Sequence, residues 1–96
     1  MAMHNPPHPG EFIRSMYLEP FELSARMLAE KLGVSPSTLN RVITGKSGVS
    51  PEMALRLSKA LGRSAESWLA MQDAFDLWQA KRNLTLDEVQ RVEFAA

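Results

Sequence analysis

With 96 residues, of which 45% are hydrophobic and 23% charged, the chain suits a single globular domain and excludes an intrinsically disordered protein. It has no cysteine, which excludes disulfides and thiolate metal sites and fits a reducing cytoplasm. The net charge is zero, but seven basic and two acidic residues give residues 24–63 a charge of +5, whereas residues 1–23 carry −2 and residues 64–96 carry −3. This segregation predicts an electropositive surface for nucleic acid and an acidic segment that faces another partner, with ordinary scattered surface charge as the alternative.

The first predicted helix follows Pro9 and Gly10 and ends before Pro20, because proline breaks the interior of a helix. Its buried face is formed by four apolar residues: Phe12, Ile13, Met16 and Tyr17. Residues 1–8 are polar and Pro-rich and are expected to be flexible. They do not resemble a signal peptide, and no apolar run reaches the roughly 18 to 20 residues of a membrane span, so we expect neither export nor a membrane.

Serine residues mark the starts of four further helices, because a serine hydroxyl accepts a hydrogen bond from the free N–H groups of a first turn. The predicted helices cover residues 24–33, 35–44, 50–62 and 64–82. Thr85 to Glu88 has the form of a capping box and predicts a short last helix. No segment alternates with a period of two for long enough to make a convincing strand, so the predicted fold class is all-α, a bundle of five or six helices with a long C-terminal one, although a short terminal strand remains an alternative.

Residues 24–44 have the form of a helix-turn-helix, since a link of three or four residues that includes Gly33 joins two short amphipathic helices. In the second helix Leu39, Val42 and Ile43 gather on one side. The opposite side has no acidic residue and no large apolar residue, and it presents Ser37, Arg41 and Thr44, with Thr38 and Asn40 flanking them. A helix of this kind can enter the major groove of DNA, with its apolar side packed on the protein.

The candidate DNA contacts follow from the chemistry of these side chains and include the helix start and the loop that follows: Ser35, Ser37, Thr38, Asn40, Arg41, Thr44 and Lys46. Arg41 can donate two parallel hydrogen bonds to guanine, a pair worth about 1 to 3 kcal/mol of discrimination. Asn40 suits adenine, a phosphate or solvent, and Lys46 suits a phosphate. An ordinary solvated helix face is the alternative for each of them.

Two segments within residues 24–46, LAEKLGVS at 28–35 and LNRVITGK at 39–46, resemble the helix-turn-helix family of phage repressors and Cro, also called the XRE family. Four flanking segments resemble its HigA/VapI branch of antitoxins: HPGE at 8–11, LEP at 18–20, SPEMALRL at 50–57, and WLAMQ with FDLW within 68–78. The similarity covers about residues 8–81. It departs from the repressors at Pro36 and Ala25, where those proteins often have glutamine, so the target sequence cannot be carried over.

This resemblance implies a fold like that of lambda repressor and a cytoplasmic antitoxin of a HigBA-type toxin–antitoxin pair. Such a protein forms a homodimer, binds a palindromic operator in its own promoter, and neutralises a RelE-like toxin that cleaves mRNA. A solitary helix-turn-helix regulator without a toxin is the alternative, and so is a module whose main task is to hold a toxin. The sequence does not decide between them.

The predicted fifth helix is apolar on nearly all sides, which a monomer of this size cannot bury. We expect Trp68 and Phe75 in the core and a dimer surface at Leu77 and Trp78, within a dimerisation or partner segment at 64–96. A twofold dimer would hold two recognition helices about 34 to 36 Å apart, which matches half-sites one DNA turn apart.

An enzyme is not expected, and neither is a cofactor or a metal. The two histidines, His4 and His8, lie in a segment broken by Pro6 and Pro7. No carboxylate pair lies near a candidate base, so no catalytic residue is assigned.

Overall fold

A computed structural model of the chain describes residues 5–95, and these residues contain no strand. They form five α-helices: α1 (Pro9–Ile13), α2 (Ala25–Leu32), α3 (Pro36–Ile43), α4 (Pro51–Leu61) and α5 (Ala65–Asn83). The predicted all-α fold with a long C-terminal helix is therefore confirmed. Within this described part, none of the helices combines the length and the apolar character that a membrane span requires.

The ends of the helices lie close to where the sequence predicts them. Four serine side chains accept a hydrogen bond from the backbone N–H three residues further on, at the starts of α2, α3, α4 and α5: Ser24, Ser35, Ser50 and Ser64. Helix α2 ends at Gly33, whose φ of 76° is left-handed and favours glycine. These caps satisfy backbone groups that the first and last helical turns leave free.

The core lies where α1 to α4 meet the first half of α5. It consists of residues from all five helices and their links: Ile13, Leu18, Leu28, Ala29, Leu32, Leu39, Val42, Val49, Met53, Ala54, Leu57 and Trp68. Trp68 is completely buried, with the Phe12 ring edge-on to it at a centroid distance of 5.8 Å. The expected core position is confirmed for Trp68 but is wrong for Phe75, which is only half-buried and lies outside the core. Phe75 is two helical turns beyond Trp68, and α5 leaves the core along its length.

The buried face of the first helix differs from the prediction at Met16, which is 53% exposed. The reason is that α1 continues into a π-helical turn over Arg14–Leu18, closed by a hydrogen bond of 2.9 Å from the Glu19 N–H to the Arg14 carbonyl oxygen. A π-helical turn takes in one residue more than an α-helical turn, so the residues after Ile13 rotate about the axis. Leu18 is buried instead of Met16.

The short last helix predicted from the capping box is wrong. After α5, Leu84 is extended, and residues 84–95 contain only a turn at residues 87–88 with a hydrogen bond of 3.0 Å from the Val89 N–H to the Leu86 carbonyl oxygen. All the side chains of this segment are exposed. A helix of a few residues is unstable in water without a surface on which to bury an apolar face, and a cap alone does not supply one.

The flexibility of residues 1–8 stays a prediction, and residues 1–4 of this segment lie outside the described part of the chain. Pro6 and His8 are buried. The His8 Nδ1 accepts a hydrogen bond of 2.9 Å from the Gly10 N–H and thereby caps α1. The His8 ring also meets the Phe75 ring edge-on at 5.0 Å. Sequence reasoning missed this role because histidine is not among the common N-cap residues.

Candidate nucleic-acid interface

Helix α3 packs by one side and leaves the other in solvent. Leu39 and Val42 are buried and Ile43 is half-buried, as the helical spacing predicts. All seven candidate DNA contacts are exposed: Ser35, Ser37, Thr38, Asn40, Arg41, Thr44 and Lys46. Ser37, Arg41 and Thr44 are four and three residues apart, so the helix brings them onto a single face.

Four of the candidate side chains form hydrogen bonds within the helix or at its start: Ser35, Ser37, Thr38 and Thr44. The Ser35 and Ser37 hydroxyl oxygens lie 3.3 Å apart. The Ser35 hydroxyl accepts from the Thr38 N–H at 3.1 Å and donates to the Thr38 Oγ1 at 2.8 Å, so Ser35 acts first as a cap. The Thr44 hydroxyl donates to the Asn40 carbonyl oxygen at 2.8 Å. Phosphate oxygens and the O6 and N7 of guanine in the major groove are all acceptors. Because the single Thr44 hydroxyl hydrogen is already donated to Asn40, Thr44 has none left for them. The Thr38 hydroxyl still has its own hydrogen to donate.

Arg41 and Lys46 keep their charges available. Neither forms an ion pair with any residue of the described part of the chain. Six of the seven basic side chains in residues 24–63 are exposed, the exception being half-buried Arg56, so the positive charge of this segment lies at the surface. Such a surface attracts a polyanion such as DNA.

The loop after α3 is ordered by backbone hydrogen bonds that the sequence does not reveal. The N–H groups of Lys46 and Ser47 both donate to the Arg41 carbonyl oxygen, at 2.8 and 3.0 Å. Gly45 takes a φ of 79°, a left-handed conformation that lets the chain turn out of the helix. At the far end of the loop, the Val49 N–H donates to Gln72 Oε1 at 2.8 Å. Lys46 therefore sits in a loop held at both ends.

Arg56 on α4 has a role that sequence reasoning missed. Its Nη1 donates to the Leu32 carbonyl oxygen at 2.8 Å and to the Gly33 carbonyl oxygen at 3.3 Å. Its Nε and Nη2 donate to Glu52 Oε2 at 3.2 and 3.0 Å. The guanidinium thus ties the turn of the helix-turn-helix to α4, and the only sequence signal was a Glu–Arg pair four residues apart.

At Gly10, the backbone of helix α1 lies directly against the backbone at the end of α3. A Cβ atom added to Gly10 would lie 1.9 Å from the Val42 carbonyl oxygen and 2.7 Å from the Ile43 Cα. Only glycine permits this approach, so Gly10 helps to set the position of α3 relative to the rest of the fold.

Two helices joined by a left-handed glycine, with the second exposing a polar and basic face, define a helix-turn-helix protein. The chain belongs to the helix-turn-helix family (HTH_3), whose profile matches residues 15–68. It is a DNA-binding transcriptional regulator of the XRE type and not an enzyme. The predicted resemblance is confirmed.

Among its relatives, Virulence-associated protein I of Dichelobacter nodosus is 46% identical over 76 residues, which cover 79% of this chain and 70% of that protein. Antitoxin HigA-1 of Vibrio cholerae serotype O1 is 37% identical over 84 residues, which cover 88% of this chain and 78% of that protein. The solved structure of antitoxin GraA superposes with a TM-score of 0.86 and 41% identity, over 92% of this chain and 98% of GraA. GraA in complex with its operator gives a TM-score of 0.82 and 38% identity, over 98% and 97% of the two chains.

Proposed function

We propose that this protein is the antitoxin of a HigBA-type pair, which binds a palindromic operator as a homodimer and represses its own operon. The DNA-binding part of this proposal rests on the outward face of α3, which is polar and has no acidic residue. Arg41 lies at its centre and forms no ion pair with any described residue. GraA, which shares 38% identity with nearly the whole chain, has been solved in complex with its operator.

On this proposal the contacts divide into two kinds. Arg41 reads a guanine with two donors, and Ser37, Thr38 and Asn40 contact base edges or phosphates nearby. Lys46 contributes charge to a phosphate, and Ser35 fixes the start of the helix. Thr44 closes the helix through its hydrogen bond to Asn40 and touches DNA by its methyl group.

The homodimer is proposed from the outer half of α5. Leu77 is 57% exposed there, and the neighbouring Trp78 ring is half-buried, with the Arg82 guanidinium 4.6 Å from its centroid. Covering apolar side chains of this size with a second copy removes them from water and so stabilises the dimer. Two copies related by a twofold axis require an operator with inverted half-sites.

The toxin partner is proposed from the relatives and from charge. HigA-1 and GraA are both named antitoxins, and residues 64–96 carry three basic against six acidic residues, which suits a basic RelE-like toxin. A small basic protein encoded next to this chain should copurify with it when the two are coexpressed. Failure of every neighbouring product to do so favours the solitary regulator.

Selection of an operator from randomised DNA, followed by two substitutions, tests the DNA-binding part. Arg41→Ala should relax the preference at one base position in each half-site. Lys46→Ala should weaken binding to all sequences alike and reduce by about one the slope of log affinity against log salt. If both variants bind the selected operator as the parent does, the assignment of α3 is wrong.

A further inference from the structure

We propose that Gln72, on α5, is a positioning residue for the DNA interface, because its side-chain amide holds the loop that carries Lys46 where a phosphate can be reached. This inference rests on the proposed contact of Lys46 with DNA. Gln72 itself lies behind the interface and touches no DNA.

The burial of Gln72 is the first observation. It is only 7% exposed, unlike the other polar residues of α5, and it packs beneath the loop between α3 and α4. A buried amide costs free energy unless its hydrogen bonds are made. Here both ends are satisfied, since Oε1 accepts from the Val49 N–H at 2.8 Å and Nε2 donates to Asp76 Oδ1 at 2.9 Å.

The orientation of this amide is determined by its partners. A backbone N–H can only donate, and an ionised carboxylate can only accept. The amide oxygen must therefore face Val49 and the amide nitrogen must face Asp76. Asp76 sets the rotation of Gln72, and Gln72 in turn sets the position of Val49.

The loop lies directly on the amide. A Cβ atom added to Gly48 would be 2.9 Å from Gln72 Cδ and 3.0 Å from Nε2, so the Gly48 backbone rests on the plane of the side chain. Toward α3, the Lys46 and Ser47 N–H groups are bound to the Arg41 carbonyl oxygen. Lys46 thus lies between an anchor on α3 and an anchor on α5, three residues from the Gln72 contact.

Loss of the second anchor lets the loop move and lowers the fraction of molecules in which Lys46 meets its phosphate. A Gln72 that merely stabilised the core would change the unfolding free energy and leave the salt dependence of DNA binding untouched. Salt dependence therefore separates a positioning role from a structural one, because its slope counts phosphate contacts.

The experiment measures operator affinity at several salt concentrations, near pH 8, on the full chain. Gln72→Met preserves most of the side-chain volume and removes both hydrogen bonds. We expect an affinity loss of about tenfold at 0.1 M salt and a slope reduced by about one, as for Lys46→Ala. The double variant should lose no more than either single variant, because both remove the same contact.

A hydrogen-bond swap provides the rescue. Asp76→Asn retains an acceptor for the Gln72 nitrogen and should leave the slope unchanged, which makes it the matched control. Gln72→Glu places a second carboxylate against Asp76 and should reduce the slope. Combining Gln72→Glu with Asp76→Asn restores a donor–acceptor pair and should restore the parental slope, a result that also covers a failure of Gln72→Met to fold.

Two outcomes have separate meanings. The positioning role is refuted, and the proposed DNA contact stands, if Lys46→Ala reduces the slope and neither Gln72→Met nor Gln72→Glu does. It is also refuted if the affinity losses of Gln72→Met and Lys46→Ala are additive in the double variant. If Lys46→Ala itself leaves the slope unchanged, the phosphate contact fails and the inference fails with it.

Discussion

His8 is a buried imidazole that has to remain neutral for its structural role. Its Nδ1 accepts the Gly10 N–H, and a protonated nitrogen could not do so. Burial lowers the pKa of His8 below its ordinary value of 6.5, and the negative charges of Asp76 and Glu11 oppose this shift without cancelling it. The cap at the start of α1 is thus sensitive to pH.

The folded protein binds this proton less tightly than the unfolded chain does. The neutral cap therefore contributes stability above about pH 6.5, and that contribution is lost as the pH falls below 6.5 toward the lower pKa of the folded state. His8→Asn keeps a side-chain acceptor at the cap and does not titrate. Urea denaturation of both proteins should show the advantage of the parent over His8→Asn shrinking from about pH 8 to pH 5. An advantage that stays constant over this range would contradict the prediction.

At the scale of elements, the contact between α1 and α3 determines the distance of α3 from the rest of the fold. Gly10 lies in α1 with the backbone of Val42 and Ile43 against it. In an open helix a Gly-to-Ala change stabilises a protein by roughly 0.5 to 1 kcal/mol, since alanine loses less backbone entropy on folding. Here the added methyl group has no space.

We therefore expect Gly10→Ala to destabilise the protein by about 1 to 3 kcal/mol or more and to weaken operator binding, because α3 must move. Gly62→Ala is the control, since Gly62 has a φ of 88° and no atom within 4 Å of an added Cβ. Backbone strain should lower the unfolding free energy of that variant by about 1 to 2 kcal/mol, and the folded variant should bind the operator normally. Thermal unfolding with gel-shift titration measures both, and a Gly10→Ala protein as stable as the parent would disprove the tight contact.

At the scale of the whole molecule, the C-terminal part extends away from the core. The molecule measures 57 × 27 × 25 Å, and side chains that are exposed on α5 and the following segment include Leu77, Leu84, Leu86, Val89, Val92 and Phe94. Leu77 lies on α5 and the other five lie on the segment after it, and exposed apolar side chains concentrated in one part of a chain are typical of an interface with a partner. A second copy of this chain is the partner that we propose for α5.

Leu77→Glu should shift the protein toward monomer, because the carboxylate would have to be buried in the interface. Sedimentation velocity on the full chain measures this shift, with Leu55→Glu on α4 as a control at a similarly exposed position. Operator binding by Leu77→Glu should weaken too, since one half-site then binds without the other. An unchanged sedimentation profile would refute the placement of the dimer surface.

Most helix boundaries were predictable because caps act locally. A serine hydroxyl and a left-handed glycine bond to groups within a few residues, so Ser24, Ser50 and Gly33 can be interpreted without knowledge of the fold. Two predictions from local signals were wrong. The capping box at Thr85 forms no helix, since no surface covers that segment, and the face that includes Met16 rotates at the π-helical turn.

For the candidate site, residue type and helical period were enough to find the exposed face of α3 and its three outward side chains, because periodicity follows from backbone geometry alone. Residue type and helical period could not predict the roles of Gln72, Arg56 and Gly10. Gln72 meets Val49 across 23 residues and Arg56 meets Leu32 across 24, in each case at a backbone group. Every residue except proline carries the same backbone N–H and carbonyl groups, so such a contact leaves no pattern in the sequence, and only the packing of the helices decides where it forms.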